Sequence, residues 1–158
     1  MFELLMNSKR SGGSSDGFGI FGGGNGGSYS TYTDKYTYSS DAVTAGTVLG
    51  LARYNLAAAG NSTVGIFGGG YTGSNSNITD KYIYSSEVVS TGSVLGVARR
   101  VLTATGNSTT GVFAGGYISG AFNYTDKYTY SSNIVAASTI LGQARYGLAA
   151  TSSSPGGF

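Results

Sequence analysis

A single interval of 46 residues organises this chain. Gly-Ile-Phe-Gly-Gly-Gly at 19–24 returns at 65–70 and, as Gly-Val-Phe-Ala-Gly-Gly, at 111–116. Thr-Asp-Lys-Tyr-Thr-Tyr at 33–38 returns at 79–84, with Ile83 replacing Thr, and again at 125–130. Leu-Gly-Leu-Ala-Arg-Tyr at 49–54 returns in related form at 95–100 and 141–146. Three landmarks held at one spacing without insertion define a structural module, and neighbouring modules must stack in one way. Shared residues then serve the fold, and recognition is expected where the copies differ.

Composition narrows the class. Charged residues are 10% of the 158, far below the roughly 25% of ordinary globular chains, which counts against a solvated helical bundle or a charged disordered tail. The 28 Gly and 13 Tyr, with no Trp, suit short strands and tight turns. Net charge is +2, and each unit supplies one Asp, one Lys and one Arg: Asp34, Lys35 and Arg53; Asp80, Lys81 and Arg99; Asp126, Lys127 and Arg145. No basic run remains to follow a phosphate backbone, so no nucleic-acid partner is expected. A single-strand stacking surface of interleaved Tyr and Lys is a minor alternative.

His and Cys are both absent. Their absence removes disulfides, thiolate chemistry, the usual zinc ligand sets and the commonest general base, so no enzyme, metal or cofactor is expected. No stretch approaches the roughly 20 apolar residues of a helical membrane span. In Met1–Arg10 the short apolar run precedes the positive charges, the reverse of a cleavable leader.

Within the middle unit, residues 54–99, a β-branched and aromatic run from Asn61 to Phe67 meets the glycines at 68–70 and reads as a strand ending in an abrupt turn. Eight residues without fixed counterpart follow, Tyr71 to Ile78. Asp80, Tyr82 and Tyr84 then alternate with Lys81 and Ile83, placing the two sets on opposite faces of a strand. Val88–Leu95 reads as a third strand. The segment Leu49–Gly60 admits a short capped helix from its Ala content and terminal Gly. A strand is favoured there, because the next copy places Val101, Thr103 and Thr105 in it and Gly50 would fall in mid-helix.

These elements resemble the kelch repeat. The residues that carry the resemblance are the doublets Gly22-Gly23, Gly68-Gly69 and Gly115-Gly116, the tyrosines Tyr36, Tyr82 and Tyr128, and Arg53, Arg99 and Arg145 before a small-residue strand. Leu49, Leu95 and Leu141 stand about where the family usually has Trp. The resemblance covers residues 17–158 and leaves 1–16 as an N-terminal extension, with repeats at 19–64, 65–110 and 111–156. The Gly-Asn-Ser-Thr and Asp-Lys-Tyr repeats also resemble those of marine bacterial and phage proteins.

What the kelch resemblance implies is an all-β chain, a β-propeller of three four-stranded blades. Closed propellers have about 4–8 blades, so it further implies closure by oligomerisation. The expected partner is a second copy of the chain, a head-to-tail homodimer giving six blades. Residues 144–151 of one copy would pair with 18–24 of the other by backbone hydrogen bonds.

Gly17–Gly22 satisfies the GxGxxG pattern but lacks the following helix that pyrophosphate binding needs, so no nucleotide site is expected. Asp34, Asp80 and Asp126 occupy equivalent positions and in a ring would admit a shared calcium ion. Pairing of each Asp with a neighbouring repeat's Arg or with turn amides is the favoured reading. Tyr36, Tyr38, Tyr82, Tyr84, Tyr128 and Tyr130 recur with the fold and are expected to pack, their hydroxyls bonded between blades. Asn61, Asn77, Asn107 and Asn123 begin Asn-x-Ser/Thr sequons, which matter only in a glycosylating host.

The loops 25–32, 71–78 and 117–124 are variable and rich in Tyr, Ser, Gly and Asn, a composition that suits adaptable recognition. Tyr29, Tyr32, Tyr71, Asn75, Tyr117, Phe122 and Tyr124 are the candidate ligand contacts. A surface glycan or a protein is the expected ligand, and an extracellular or virion setting, such as a phage tail, the expected location. The alternative is a purely structural subunit of a particle or fibre.

Overall fold

The computed structural model describes residues 17–153. The extension 1–16, which holds the run read above at Met1–Arg10, and residues 154–158 lie outside the described residues. Eleven strands form: β1 Phe18–Gly22, β2 Thr33–Thr37, β3 Ala42–Ala45, β4 Ala57–Gly60, β5 Val64–Gly68, β6 Thr79–Ile83, β7 Val88–Thr91, β8 Thr103–Gly106, β9 Thr110–Ala114, β10 Thr125–Thr129 and β11 Ile134–Ala137. No helix occurs among the described residues, so none is long and apolar enough to cross a membrane.

The strands make three antiparallel meanders, β1-β2-β3, β4-β5-β6-β7 and β8-β9-β10-β11. Two of the three sheets have the expected four strands, and the first has three. The difference is one of phase. In the second and third sheets the first strand is the tail of the preceding sequence copy: β4 pairs Ala58 with Phe67, and β8 pairs Ala104 with Phe113.

Local chemistry sets the turns. The Asn61 side-chain oxygen accepts from the backbone N–H of Thr63 and of Val64, and Asn107 does the same for Thr109 and Thr110. These sequon asparagines close the β4–β5 and β8–β9 hairpins as Asx turns. Asn77 and Asn123 instead donate to the carbonyls of Leu95 and Leu141. Asp41, Glu87 and Asn133, at one repeat position, carry φ of 51°, 53° and 56° in the outer hairpins.

The third strand is shorter than the expected span 88–95. It stops at Thr91, because Gly92 turns back to bond the Thr79 carbonyl and Ser93 bonds Asn133 of the next sheet. The segment read as strand or helix is neither over Leu49–Leu56; only Ala57–Gly60 is strand.

The core lies between sheets. Phe67 and Tyr82 of the second sheet, with Leu49, pack against Phe18 and Ile20 of the first. Val64 and Ile66, on the opposite face, pack with Leu95 and Leu102 against Phe113, Tyr128 and Tyr130 of the third. The second sheet is thus covered on both sides, and every residue of β5 is buried. The outermost strands β3, β7 and β11 are mostly exposed. Phe67 lies so close over the first sheet that a Cβ at Gly22 would come within 3.0 Å of its ring; Phe113 holds Gly68 in the same way.

Candidate functional site

The variable loops join β1 to β2, β5 to β6 and β9 to β10, so all three emerge at one end of their sheets. The connections 46–56, 92–102 and 138–148 run over that same end. Three backbone bonds per copy fasten connection to loop. Gly24, Gly70 and Gly116 donate to the carbonyls of Arg53, Arg99 and Arg145, at 2.9, 2.9 and 3.0 Å. Arg53, Arg99 and Arg145 N–H groups donate to Ser30, Ser76 and Phe122, and Leu49, Leu95 and Leu141 to Thr31, Asn77 and Asn123. None of these three bonds uses a side chain of the loop, and Asn77 and Asn123 add side-chain bonds to the same connections in the second and third copies.

Tyr29, Tyr71, Asn75 and Tyr117 come together in one row. Tyr29 stacks on Tyr54 at 5.1 Å between ring centroids, and Tyr54 meets Tyr71 edge-on at 5.6 Å. The Arg100 guanidinium lies 4.7 Å from the Tyr71 ring centre and 4.8 Å from that of Tyr117, and Tyr117 meets Tyr146 at 5.3 Å. Asn75 accepts from Arg100 at 3.1 Å and donates to the Ile118 carbonyl. Cation–π contacts of this kind contribute about 0.5–1 kcal/mol each at exposed sites. Tyr54, Arg100 and Tyr146 were not among the residues singled out from sequence. The signal was available: each follows the repeat arginine and together they form a 46-residue series of Tyr, Arg and Tyr.

Tyr32, Phe122 and Tyr124 do not join the row. Phe122 stacks on Tyr124 at 5.9 Å, and Tyr124 faces the preceding connection, with Arg99 5.8 Å from its ring centre. Tyr32, its counterpart in the first copy, is 76% exposed.

The repeat charges form buried junctions. Arg53 meets Asp80 at 2.8 Å and Arg99 meets Asp126 at 2.7 Å, all four side chains being buried. The aspartates also accept from Gly50 and Gly96 N–H. Arg99 is fully engaged: Nε donates to Gly115, and the terminal nitrogens to Val97, Asp126 and Phe113. Arg53 donates to Leu51 and Phe67 but leaves Nε without a partner among the described residues. Burial lowers the Arg53 pKa, opposed by Asp80. Among the described residues neither Asp34 nor Arg145 has an ionic partner, and both are exposed.

The recurring tyrosines pack unevenly. Tyr82 and Tyr128 are completely buried, whereas Tyr38 is 59% exposed. The expectation of hydroxyls bonded between sheets holds for Tyr128, whose hydroxyl bonds Thr79 of the second sheet and Ser93 of its connection as well as Asn133 of its own sheet. It fails for Tyr36, which bonds Asp41 of its own sheet, and for Tyr82 and Tyr130, whose hydroxyls have no partner among the described residues. The small residues against the Tyr130 hydroxyl, Gly106 and Gly111, offer no acceptor side chain. Burial, with a smaller contribution from Tyr84, pushes the Tyr130 pKa up to about 12.

No protein-family model and no curated protein matches the chain.

Proposed function

We propose that the chain is a non-enzymatic recognition scaffold: kelch-like blades in an arc that a second copy completes to six, presenting the loops 25–32, 71–78 and 117–124 to a surface glycan or protein. The observation that carries this reading is the separation of duties at the loop end. Repeated backbone bonds hold each loop to its connection, and Tyr29 and Tyr32 of the first loop stay exposed at that end. Aromatic faces flanked by amides suit sugar rings and protein surfaces alike. The buried repeat carboxylates Asp80 and Asp126 are held in ion pairs between sheets, which supports a structural role for them. Such a scaffold suits a phage tail or another extracellular assembly.

A purely structural subunit is the second reading, and one observation favours it: Tyr71, Arg100 and Tyr117 spend their faces on one another. Glycan-array and cell-adsorption binding separates the two. Loss of binding when all three loops are replaced by Gly-Ser, with the strand signal in circular dichroism retained, supports recognition; binding that persists removes the loops from it. Absence of binding by the intact chain, with filaments in electron micrographs, favours the structural subunit.

A further inference from the structure

We infer that the open face of the first sheet docks the 138–152 arm of a second copy of this chain, Arg145 of that copy pairing with Asp34 and its residues 149–152 adding the missing fourth strand beside β1. The inference rests on the blade reading above and names the contacts that close it.

Each internal junction has the same three parts. An arginine from one connection enters the next sheet and meets its aspartate, as Arg53 meets Asp80 and Arg99 meets Asp126. A phenylalanine from that next sheet lies over a small residue of the sheet before, as Phe67 over Gly22 and Phe113 over Gly68. A strand from the connection then pairs with the next sheet's central hairpin, as β4 with β5 and β8 with β9. At the two outer faces the charged parts lack their counterparts. The first sheet offers Asp34, Phe21 at 66% exposure and a β1 edge without a fourth strand; the far face offers Arg145 and residues 149–151, with the already buried Ala114 in the place that Gly22 and Gly68 hold at the internal junctions.

The arm is already shaped for the task. Arg145 holds Gly116 and Phe122 by the same backbone bonds that fix Arg53 and Arg99, and Leu148 sits against Gly115 as Leu56 does against Gly23. Thr105 donates to the Thr151 carbonyl and Ser152 to that of Gly106, which places 149–152 alongside β8. Preorganisation of this kind removes ordering cost from association. On the receiving side two grooves, about 540 and 660 Å³, run in succession along β1, both walled by Ala58 and Phe67. The internal register carried across would set Ala149 opposite Gly22, Ala150 opposite Phe21, Thr151 opposite Ile20 and Ser152 opposite Gly19.

The chain's own upstream residues do not repeat the arm. The positions 46 before Leu49, Arg53 and Leu56 hold Glu3, Asn7 and Arg10, so both apolar anchors and the cation at that place are replaced. A second copy supplies all three as Leu141, Arg145 and Leu148.

The test is light scattering on the full chain, alone and in mixtures. The expected mass is twice 16.0 kDa. Asp34→Arg and Arg145→Glu each set like charges face to face at both junctions and should weaken the dimer by about 100-fold or more. Mixing the two variants in equal amounts restores a dimer, since one junction is then native and the other has its charges exchanged. Both residues are exposed in the single chain, so the variants keep its fold, checked by circular dichroism. An intact chain that stays a monomer overturns both this inference and the closure reading. An intact dimer indifferent to Arg145→Glu, or variants that mixing fails to rescue, overturns this inference alone.

Discussion

Residues 33–37 and 125–129 are the same pentapeptide, Thr-Asp-Lys-Tyr-Thr, in the same strand position of the first and third sheets. In the third sheet Asp126 and Tyr128 are wholly buried; in the first, Asp34 is exposed and Tyr36 only half-buried. The next tyrosine follows suit, 4% exposed at Tyr130 and 59% at Tyr38. Sequence and strand are constant, and the neighbouring sheet is the variable. In a stacked array the energetic weight of a residue is therefore conferred by the module beside it.

That contrast gives matched pairs of substitutions, read by urea unfolding at low chain concentration. Asp126→Ala leaves Arg99 charged and unpaired in the core and should cost about 3–5 kcal/mol, whereas Asp34→Ala should change stability by no more than about 0.5 kcal/mol. Equal losses would break the comparison. Phe113→Ala should cost about 3–5 kcal/mol through lost burial and a cavity, and Phe21→Ala little, because its ring has no sheet above it. A smaller effect sharpens the geometry: Gly68→Ala sets a Cβ 3.0 Å from the Phe113 ring and should cost about 1–3 kcal/mol by overpacking. A neutral result would mean that the sheets can slide apart.

The smallest effect concerns pH. Tyr130 holds its proton in the folded state up to about 12, against about 10 unfolded. Above pH 10 the unfolded chain binds fewer protons than the folded one, so stability is complete below that pH and falls as pH rises toward 12. Tyr130→Phe should flatten this alkaline limb at little cost, since the hydroxyl lacks a partner. An unchanged limb would assign it to Tyr84 or Tyr128, whose pKa values burial also raises.

The repeat phase, the alternation of Asp80, Tyr82 and Tyr84 against Lys81 and Ile83, and the strand ending at Gly68 follow from local chemistry and were legible in sequence. Partners across sheets were not. Nothing in Thr-Asp-Lys-Tyr-Thr says which copy will be covered, and nothing in Leu49–Leu56 says that bonds to a loop 18 residues upstream, such as Leu49 to Thr31, will override both helix and strand propensity. The aromatic row was half legible. Tyr29, Tyr71 and Tyr117 stood out in variable loops, but Tyr54, Arg100 and Tyr146 lay inside a landmark whose repetition read as framework.

Because β4 and β8 are lent forward, each four-stranded sheet straddles a boundary of the copies counted as 19–64, 65–110 and 111–156, whereas the window 54–99 holds a complete one. Gene duplication beginning at any point of the cycle would nevertheless recreate every internal joint. Such a lineage can lengthen or shorten by whole periods without inventing a contact, leaving only the loops to diversify.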